Sequence, residues 1–252
     1  MLPLLLVSIL DSCIRDRREP LNGGPRLDLL QLVDLLGLGR TEQKTSYATP
    51  LKLVALGSVM RLDQDTRVVD YGCAKAEALI LWGTYLRISG VGIEQSERFC
   101  RIAEERIAET GLSERIEIVC ADAAAYPVQP AAYDVACCIG ACMIWGGFRP
   151  TLQALKQVVK PDGQIVVGEP YYTQKPVPQE LIEFEGDCHT EVELLHIVNE
   201  EGLDLKQIFR ASSDDRDWYT AFWSQRGQEM YLKYMRPLEG WAMYLMRPGT
   251  GE

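Results

Sequence analysis

Residues 67–77 constrain the fold of this chain more than any other stretch. An apolar pair, Val68-Val69, ends in Asp70, the chain turns through Gly72, and a run with helical composition follows. A strand, a turn of small residues and a helix in this order direct backbone N–H groups and a helix N-terminus toward a ligand. We therefore expect a ligand to bind at this turn.

An acidic residue indicates what kind of ligand this is. Glu94 closes the next apolar run, 90–94, and lies about 20 positions beyond the glycine turn. A carboxylate at this place in a strand–turn–helix unit holds a ribose hydroxyl group. The two features together predict a nucleoside-containing cofactor.

Short apolar runs alternate with helical stretches through the middle of the chain. Strands are predicted over 67–71, 90–94, 115–120, 133–138 and 164–168, and helices over 76–87, 97–110 and 148–159. This alternation is typical of an α/β fold, a parallel sheet with helices on both faces. Ligands bind beyond the carboxyl ends of such strands, where Asp70, Glu94 and Asp122 all fall.

The pattern changes after residue 176. Helices are predicted over 178–185 and 190–201, a strand over 203–210, a helical stretch over 217–236 and a last strand over 241–246. We expect the two late strands to complete one edge of the sheet. Residues 160–163, Lys-Pro-Asp-Gly, predict a tight turn before the fifth strand.

The charge of the chain limits its partners. A formal net charge of −10 disfavours a phosphate-backbone ligand, so we expect no nucleic-acid partner. The first ten residues are apolar but too few to span a bilayer, and we expect no membrane partner.

The eight cysteines lack paired metal-ligand spacing, and Cys137, Cys138 and Cys142 lie in or just after an apolar run. This usage predicts buried thiols, no metal site and a reducing, cytoplasmic location.

The spacing of small residues after the first strand discriminates between cofactors. The dinucleotide spacing GxGxxG would begin at Gly72 and end at Glu77, whose carboxylate has the wrong size and charge beneath a pyrophosphate. The spacing GxGxG instead falls on Gly72, Ala74 and Ala76, which are all small. The second spacing is the one used for S-adenosylmethionine (SAM), a zwitterionic cation that tolerates acidic neighbours.

An ordered set of motifs now resembles the class I SAM-dependent methyltransferases. Residues 68–77 resemble their motif I, and Glu94 matches the acid that ends their second strand. Residues 120–123 match the acid after the third strand, and 160–163 the turn before the fifth. More narrowly, further segments resemble a subgroup of small bacterial-type methyltransferases with no assigned substrate, and these segments are 139–148, 167–172, 217–219 and 238–242.

This resemblance covers about residues 50–247 and implies a fold and a domain plan. The fold would be a Rossmann-like, seven-stranded, mostly parallel sheet with helices on both faces and an antiparallel C-terminal edge strand. We expect one methyltransferase domain over 50–247, with 178–201 and 213–240 as helical lids or insertions. Residues 1–49 would form a helical N-terminal extension.

The resemblance also implies roles for residues at the strand ends. Those predicted to bind the cofactor are Asp70, Gly72, Ala74, Ala76, Glu94, Asp122, Ala123, Ile139 and Gly140. Glu94 would accept both ribose hydroxyls, and Asp122 the adenine 6-amino group beside the N–H of Ala123. Asp70 would hold the turn or reach the amino group of SAM through water. The turn from Gly72, with Ile139 and Gly140, would line the methionine part.

Methyl transfer needs few catalytic side chains. It is an in-line displacement at a sulfonium carbon, so alignment and desolvation supply most of the catalysis. A general base is required only when the acceptor must lose a proton. The candidates near the strand ends are Glu169, Tyr171 and His189.

Three functional hypotheses follow in order of preference. The first is SAM-dependent methyl transfer to a small-molecule acceptor. The second is a non-catalytic or weakly SAM-binding protein that acts through a partner, because alanines occupy two glycine positions of the turn. If Ala74 or Ala76 requires a positive φ, each costs on the order of 1 kcal/mol. The third, a nicotinamide dehydrogenase, is weakened by Glu77.

Overall fold

The structure, a computed structural model, describes residues 47–127, 129–221 and 223–249. The predicted N-terminal extension, 1–49, lies outside the described residues except for its last three positions.

The first half of the described chain alternates helices with strands, as the sequence predicts. Its elements are α1 (Pro50–Met60), β1 (Arg67–Tyr71), α2 (Glu77–Leu86), β2 (Ser89–Glu94), α3 (Glu97–Glu109), β3 (Ile116–Cys120), β4 (Tyr133–Ile139), a 3-10 turn (Cys142–Trp145), α4 (Phe148–Val158) and β5 (Val159–Tyr172). The second half contains α5 (Gln179–Glu185), α6 (Glu191–Glu200), β6 (Leu203–Arg210), α7 (Ser213–Thr220), α8 (Gln225–Met230), a π-helical turn (Tyr231–Met235), α9 (Arg236–Leu238) and β7 (Glu239–Pro248).

The strands form one seven-stranded sheet in the order β3-β2-β1-β4-β5-β7-β6. The ladders among β1 to β5 are parallel, and β7 is antiparallel to both β5 and β6. The predicted mostly parallel sheet and its antiparallel C-terminal strand are confirmed. The C-terminal strand β7 is the second strand from one edge of the sheet, and β6 is the edge strand beside it.

Helices cover both faces of the sheet. On one face, buried residues of the central strands pack against Phe148, Leu152 and Leu155 of α4 and Leu194 of α6. On the other face, Gly92 of β2 has no room for a side chain, because a Cβ there would approach α2 and the turn before it. The two helical layers bury a core that is largely aliphatic.

Two local predictions are corrected. Residues 160–163 do not form a separate turn before the fifth strand, because β5 already begins at Val159. The pairing passes from Tyr133 with Val159 to Val135 with Gln164, so 160–163 bulge out within the strand.

The helical stretch predicted over 217–236 is also interrupted. It begins earlier, at Ser213, and breaks after α7. The side chain of Ser224 then accepts a hydrogen bond from the Gly227 N–H and caps α8.

Candidate cofactor and active site

The turn after β1 is built on a glycine that no other residue could replace without displacement. Gly72 has φ +71°, and a Cβ at this position would lie 2.6 Å from Cβ of Ala141 and 3.1 Å from Cδ1 of Ile144. Its N–H donates to the carbonyl oxygen of Ile93 at 2.8 Å. The turn is therefore wedged between the end of β2 and the segment that follows β4.

The two alanines of this turn adopt left-handed backbone conformations. Ala74 has φ 50° and Ala76 has φ 60°. Ala76 is fully buried and is the N-cap of α2, with no side-chain cap of its own. Both positions thus require the conformation in which an alanine costs about 1 kcal/mol more than a glycine.

The carboxylate of Glu94 fastens this turn to β2. Its Oε2 accepts from the Ala74 N–H at 3.0 Å and its Oε1 from the Ser96 N–H at 2.8 Å. Glu94 is only 8% exposed. Each carboxylate oxygen can accept a second hydrogen bond, which matches the two donors of a ribose diol.

Asp70 is a buried carboxyl group with unmet bonding capacity. It is 4% exposed, and its Oδ1 has no hydrogen-bond partner in the described part of the chain. Burial, and next the nearby carboxylates of Glu77 and Glu94, raise its pKa from 3.8 to about 7. An orphaned buried acceptor is costly, so a cationic donor such as an ammonium group fits this position.

The ends of β3 and β4 complete the same surface. The Ala121 N–H donates to the Glu94 carbonyl at 2.9 Å, which places the chain after β3 beside the end of β2. Asp122 is exposed and its Oδ1 accepts from the Ala124 N–H at 2.9 Å, while Ala123 is buried.

Beyond β4 the half-buried Ile139 leads to the exposed Gly140, which has φ +83°. The Gly140 N–H donates to the Gly168 carbonyl at 2.9 Å and joins this segment to β5. All nine residues predicted to bind the cofactor therefore lie at one end of the sheet.

Of the three predicted catalytic residues, Glu169 has the environment of a proton-transfer group. It lies on β5, opposite Ala242 of β7. Burial raises its pKa to about 7, and a hydrogen bond with Cys142 partly opposes that rise. Its side chain points to the same face as those of Val167 and Tyr171, because these residues are spaced by two along the strand.

Tyr171 and His189 are placed elsewhere. The ring of Tyr171 lies against Gly240, where a Cβ would come within 2.3 Å of its Cζ, and Arg210 and Glu191 are its charged neighbours. The side chain of His189 is 48% exposed, and its Nδ1 lies 3.9 Å from Oε2 of Glu193. The contacts described for both residues connect them to β6, β7 and α6 rather than to the turn after β1.

A group of aromatic rings, named here the aromatic cluster, continues from the end of β5. Tyr47 packs on Tyr219 with ring centroids 4.6 Å apart and on Trp241 at 5.9 Å, and Tyr219 packs on Trp223 at 5.8 Å. A Cβ at Gly168 would lie 2.6 Å from Cζ2 of Trp241, so the indole covers Gly168. Tyr219 and Trp223 lie in the stretch 213–240 that is predicted to be a helical lid or insertion, whereas the contact of Trp241 with Tyr47 joins residues far apart in the sequence.

Two acids next to the aromatic cluster, the half-buried Glu185 and the buried Glu239, were missed from the sequence. Glu185 ends α5 and Glu239 begins β7. The charges of both raise the pKa of Tyr47, which places them near its ring. The sequence signal that could have indicated Glu239 is an acid directly before an apolar strand, as in Glu239-Gly-Trp.

The described part of the chain also lacks two kinds of feature. No helix in the described part of the chain has the length and apolar character needed to cross a membrane. Among residues 47–127, 129–221 and 223–249, no group of three or more His, Cys, Asp or Glu side chains is arranged to hold a metal ion.

The strand order, the small-residue turn and the acids after the first three strands define a Rossmann-like protein with a nucleoside-cofactor site. Comparison with known proteins gives the family. The family described as "Methyltransferase domain" matches residues 62–232. The uncharacterized protein YjhP of Escherichia coli K12 is 35% identical over 178 residues, which are 69% of this chain and 71% of YjhP.

Two solved structures with a similar fold are SAM-dependent methyltransferases. A SAM-dependent methyltransferase from Geobacter sulfurreducens, crystallised with S-adenosyl-L-homocysteine, is 27% identical, with a TM-score of 0.75 over 85% of this chain and 98% of that one. A similar complex from Thiobacillus denitrificans is 26% identical, with a TM-score of 0.73 over 88% and 100% of the two chains. The chain belongs to this methyltransferase family. The expected class I SAM-dependent fold and its cofactor, SAM, are thereby confirmed at the level of the family.

Proposed function

We propose that the protein transfers a methyl group from SAM to a small organic acceptor in the cytoplasm. The observation that carries this proposal is the buried carboxyl of Asp70, which has an unpartnered oxygen at the turn where a SAM ammonium group would lie. A net charge of −10 weighs against a nucleic-acid acceptor.

Hydrogen-bond acceptors of the protein would face the hydrogen-bond donors of the cofactor. Asp70 would accept from the ammonium group, and both oxygens of Glu94 would accept from the ribose hydroxyls. Asp122 would accept from the adenine amino group beside the Ala123 N–H. The turn over Gly72, Ala74 and Ala76, together with Ile139 and Gly140, would enclose the methionine part. When bound, SAM supplies an electrophilic methyl group on a positively charged sulfur.

The chain's own contribution to the reaction would be alignment and exclusion of water. The aromatic cluster adjoins Gly168 and Ile139, so an acceptor seated there would lie next to the methionine path. Among the predicted catalytic residues, Glu169 has a pKa raised to about 7, but its side chain lies on the face of β5 opposite to Trp241 and the aromatic cluster. Tyr171 and His189 stay predictions that only substitution can test.

A second candidate function has a specific observation in its favour. Ala74 and Ala76 both carry backbone strain and a methyl group at the cofactor turn. A protein that kept the fold, bound SAM weakly and acted through a partner would tolerate this strain.

Calorimetric titration with SAM and with S-adenosyl-L-homocysteine separates the two candidates. We expect saturable binding by the wild type and at least tenfold weaker binding by Asp70→Asn and Asp122→Ala. Glu183→Gln, at an exposed acid of α5, is the matched control and should bind as the wild type does. Absence of heat for the wild type would contradict methyl transfer. Recovery of binding by a double Ala74→Gly, Ala76→Gly variant would then support the second candidate.

A further inference from the structure

Glu239 is a buried acid at the first position of β7. It is 4% exposed and pairs through its backbone with Tyr172 of β5. Side chains two apart on a strand share a face, so Glu239 and Trp241 point to the same side of β7. The carboxyl group of Glu239 therefore lies on the side of Trp241 and the aromatic cluster, and its charge contributes to the raised pKa values of Tyr47, Tyr172 and Cys188.

The charges around this carboxyl group do not balance. Glu185 of α5 is close to this carboxyl group, because its charge raises the pKa of Glu239. The charges of Glu239, Glu185 and Glu169 also raise the pKa of the Cys188 thiol. Arg216 of α7 is the nearby cation, but its Nη1 donates to backbone carbonyl oxygens of Glu239 at 2.6 Å and Met235 at 3.3 Å. Its Nη2 donates to a third carbonyl, that of Arg236, at 3.1 Å.

Because these bonds go to carbonyl oxygens, Arg216 does not form a hydrogen-bonded ion pair with the carboxyl group of Glu239. Burial, and next the charge of Glu185, raise the pKa of Glu239 to about 8, although Arg216 opposes the rise. Burial also raises the pKa of Glu185. Aromatic faces attract an organic cation, and a carboxylate that is already removed from water loses little further hydration when the cation binds.

We propose that the methyl acceptor is an amine, bound as its ammonium ion between the carboxylate of Glu239 and the aromatic cluster. This inference rests on the proposed methyl transfer and names its substrate class. The aromatic cluster adjoins Ile139 and Gly168, so an amine there lies beside the predicted methionine path.

The chemical step balances with the groups present. The ammonium ion gives one proton to the Glu239 carboxylate and becomes a neutral amine with a free electron pair. That pair forms the new N–C bond while the S–C bond of SAM breaks, and the bonding electrons stay on sulfur. The product is an N-methylammonium ion and neutral S-adenosyl-L-homocysteine. Glu169 points to the opposite face of β5, so we assign the proton to Glu239.

Binding of matched cationic and neutral probes tests this assignment. The probes are choline and its uncharged isostere 3,3-dimethylbutan-1-ol, added to the full chain saturated with S-adenosyl-L-homocysteine. Trp223 and Trp241 report binding through quenching of their fluorescence. We expect choline to bind at least tenfold more tightly than the isostere, and Glu239→Gln to remove this preference. Affinity for choline should rise about tenfold between pH 6 and pH 8 in the wild type and stay flat in Glu239→Gln.

The controls separate this inference from the proposed function. Glu183→Gln removes an exposed acid from the same helix as Glu185 and should bind choline as the wild type does. Unaltered SAM titration and thermal unfolding of Glu239→Gln would show that it is folded. Equal binding of both probes, no binding of choline, or an unaffected preference in Glu239→Gln would overturn the inference while SAM binding still supported methyl transfer. Choline binding without any SAM binding would instead contradict only the proposed function.

Discussion

Oε2 of Glu94 accepts a hydrogen bond from the backbone N–H of Ala74 at 3.0 Å, twenty residues away in sequence. This bond joins the end of β2 to the turn after β1, so the acid predicted to hold the ribose also fixes the turn predicted to hold the methionine part. A change in either residue should therefore affect both ends of the cofactor. The first predictions concern this turn.

Replacing the strained alanines with glycine should stabilise the protein. Ala74→Gly and Ala76→Gly each remove the cost of a left-handed alanine, and we expect a gain of roughly 0.5–1 kcal/mol per site. Urea unfolding measures the change. Ala55→Gly in α1, where the alanine is exposed and helical, is the control and should instead lose about 1 kcal/mol. Equal losses at all three sites would contradict the left-handed assignment.

Adding a methyl group to Gly72 should instead destabilise the protein. Gly72→Ala combines a positive φ with a contact of 2.6 Å to Cβ of Ala141, and we expect a loss of about 1–3 kcal/mol together with weaker SAM binding. The double variant Gly72→Ala, Ala141→Gly removes that contact and should recover part of the stability but not the backbone strain. Unfolding in urea and SAM titration give the two readouts. A single variant as stable as the wild type would refute the wedge described for this turn.

Asp70 should make the stability of the ligand-free protein depend on pH. Its pKa is about 7 in the folded chain and 3.8 without burial, so the folded state binds more protons between these values. Stability should therefore fall as pH rises from about 4 to about 7, by up to about 4 kcal/mol, and level off above.

The difference between the wild type and Asp70→Asn isolates this effect, because Glu169 and Glu239 also titrate from raised pKa values. Urea unfolding at several pH values should give a difference that changes between pH 4 and pH 7. Saturating SAM should reduce the loss above pH 7, since its ammonium group would pair with the ionised carboxyl. A difference that is constant with pH would show that Asp70 is ionised throughout.

Trp82 should be a major contact between α1 and α2. Its side chain is fully buried, and Nε1 donates to the Leu53 carbonyl at 2.7 Å. Trp82→Phe removes this hydrogen bond and creates a small cavity, so we expect a loss of about 2–3 kcal/mol in urea unfolding. Leu232→Met, at a leucine that is 66% exposed, is the control and should change stability by less than about 0.5 kcal/mol.

The sequence by itself determined the order of the elements, the parallel sheet and the end of the sheet at which the residues predicted to bind the cofactor lie. These follow from local signals, since apolar runs, helical spacing and an acid at a strand end are read within a few residues of one another. The spacing of Gly72, Ala74 and Ala76 was likewise enough to favour SAM over a dinucleotide, and the family comparison confirms that choice.

The tertiary structure decided the properties that depend on distant neighbours. The left-handed conformations of Ala74 and Ala76, the bulge at 160–163 and the unpartnered oxygen of Asp70 are seen only in the folded structure. Glu239 gives the clearest case. Its acidity is visible in the sequence, but its raised pKa and its place beside Tyr47 exist only after β7 inserts between β5 and β6, because burial and charge proximity are set by residues far apart along the chain.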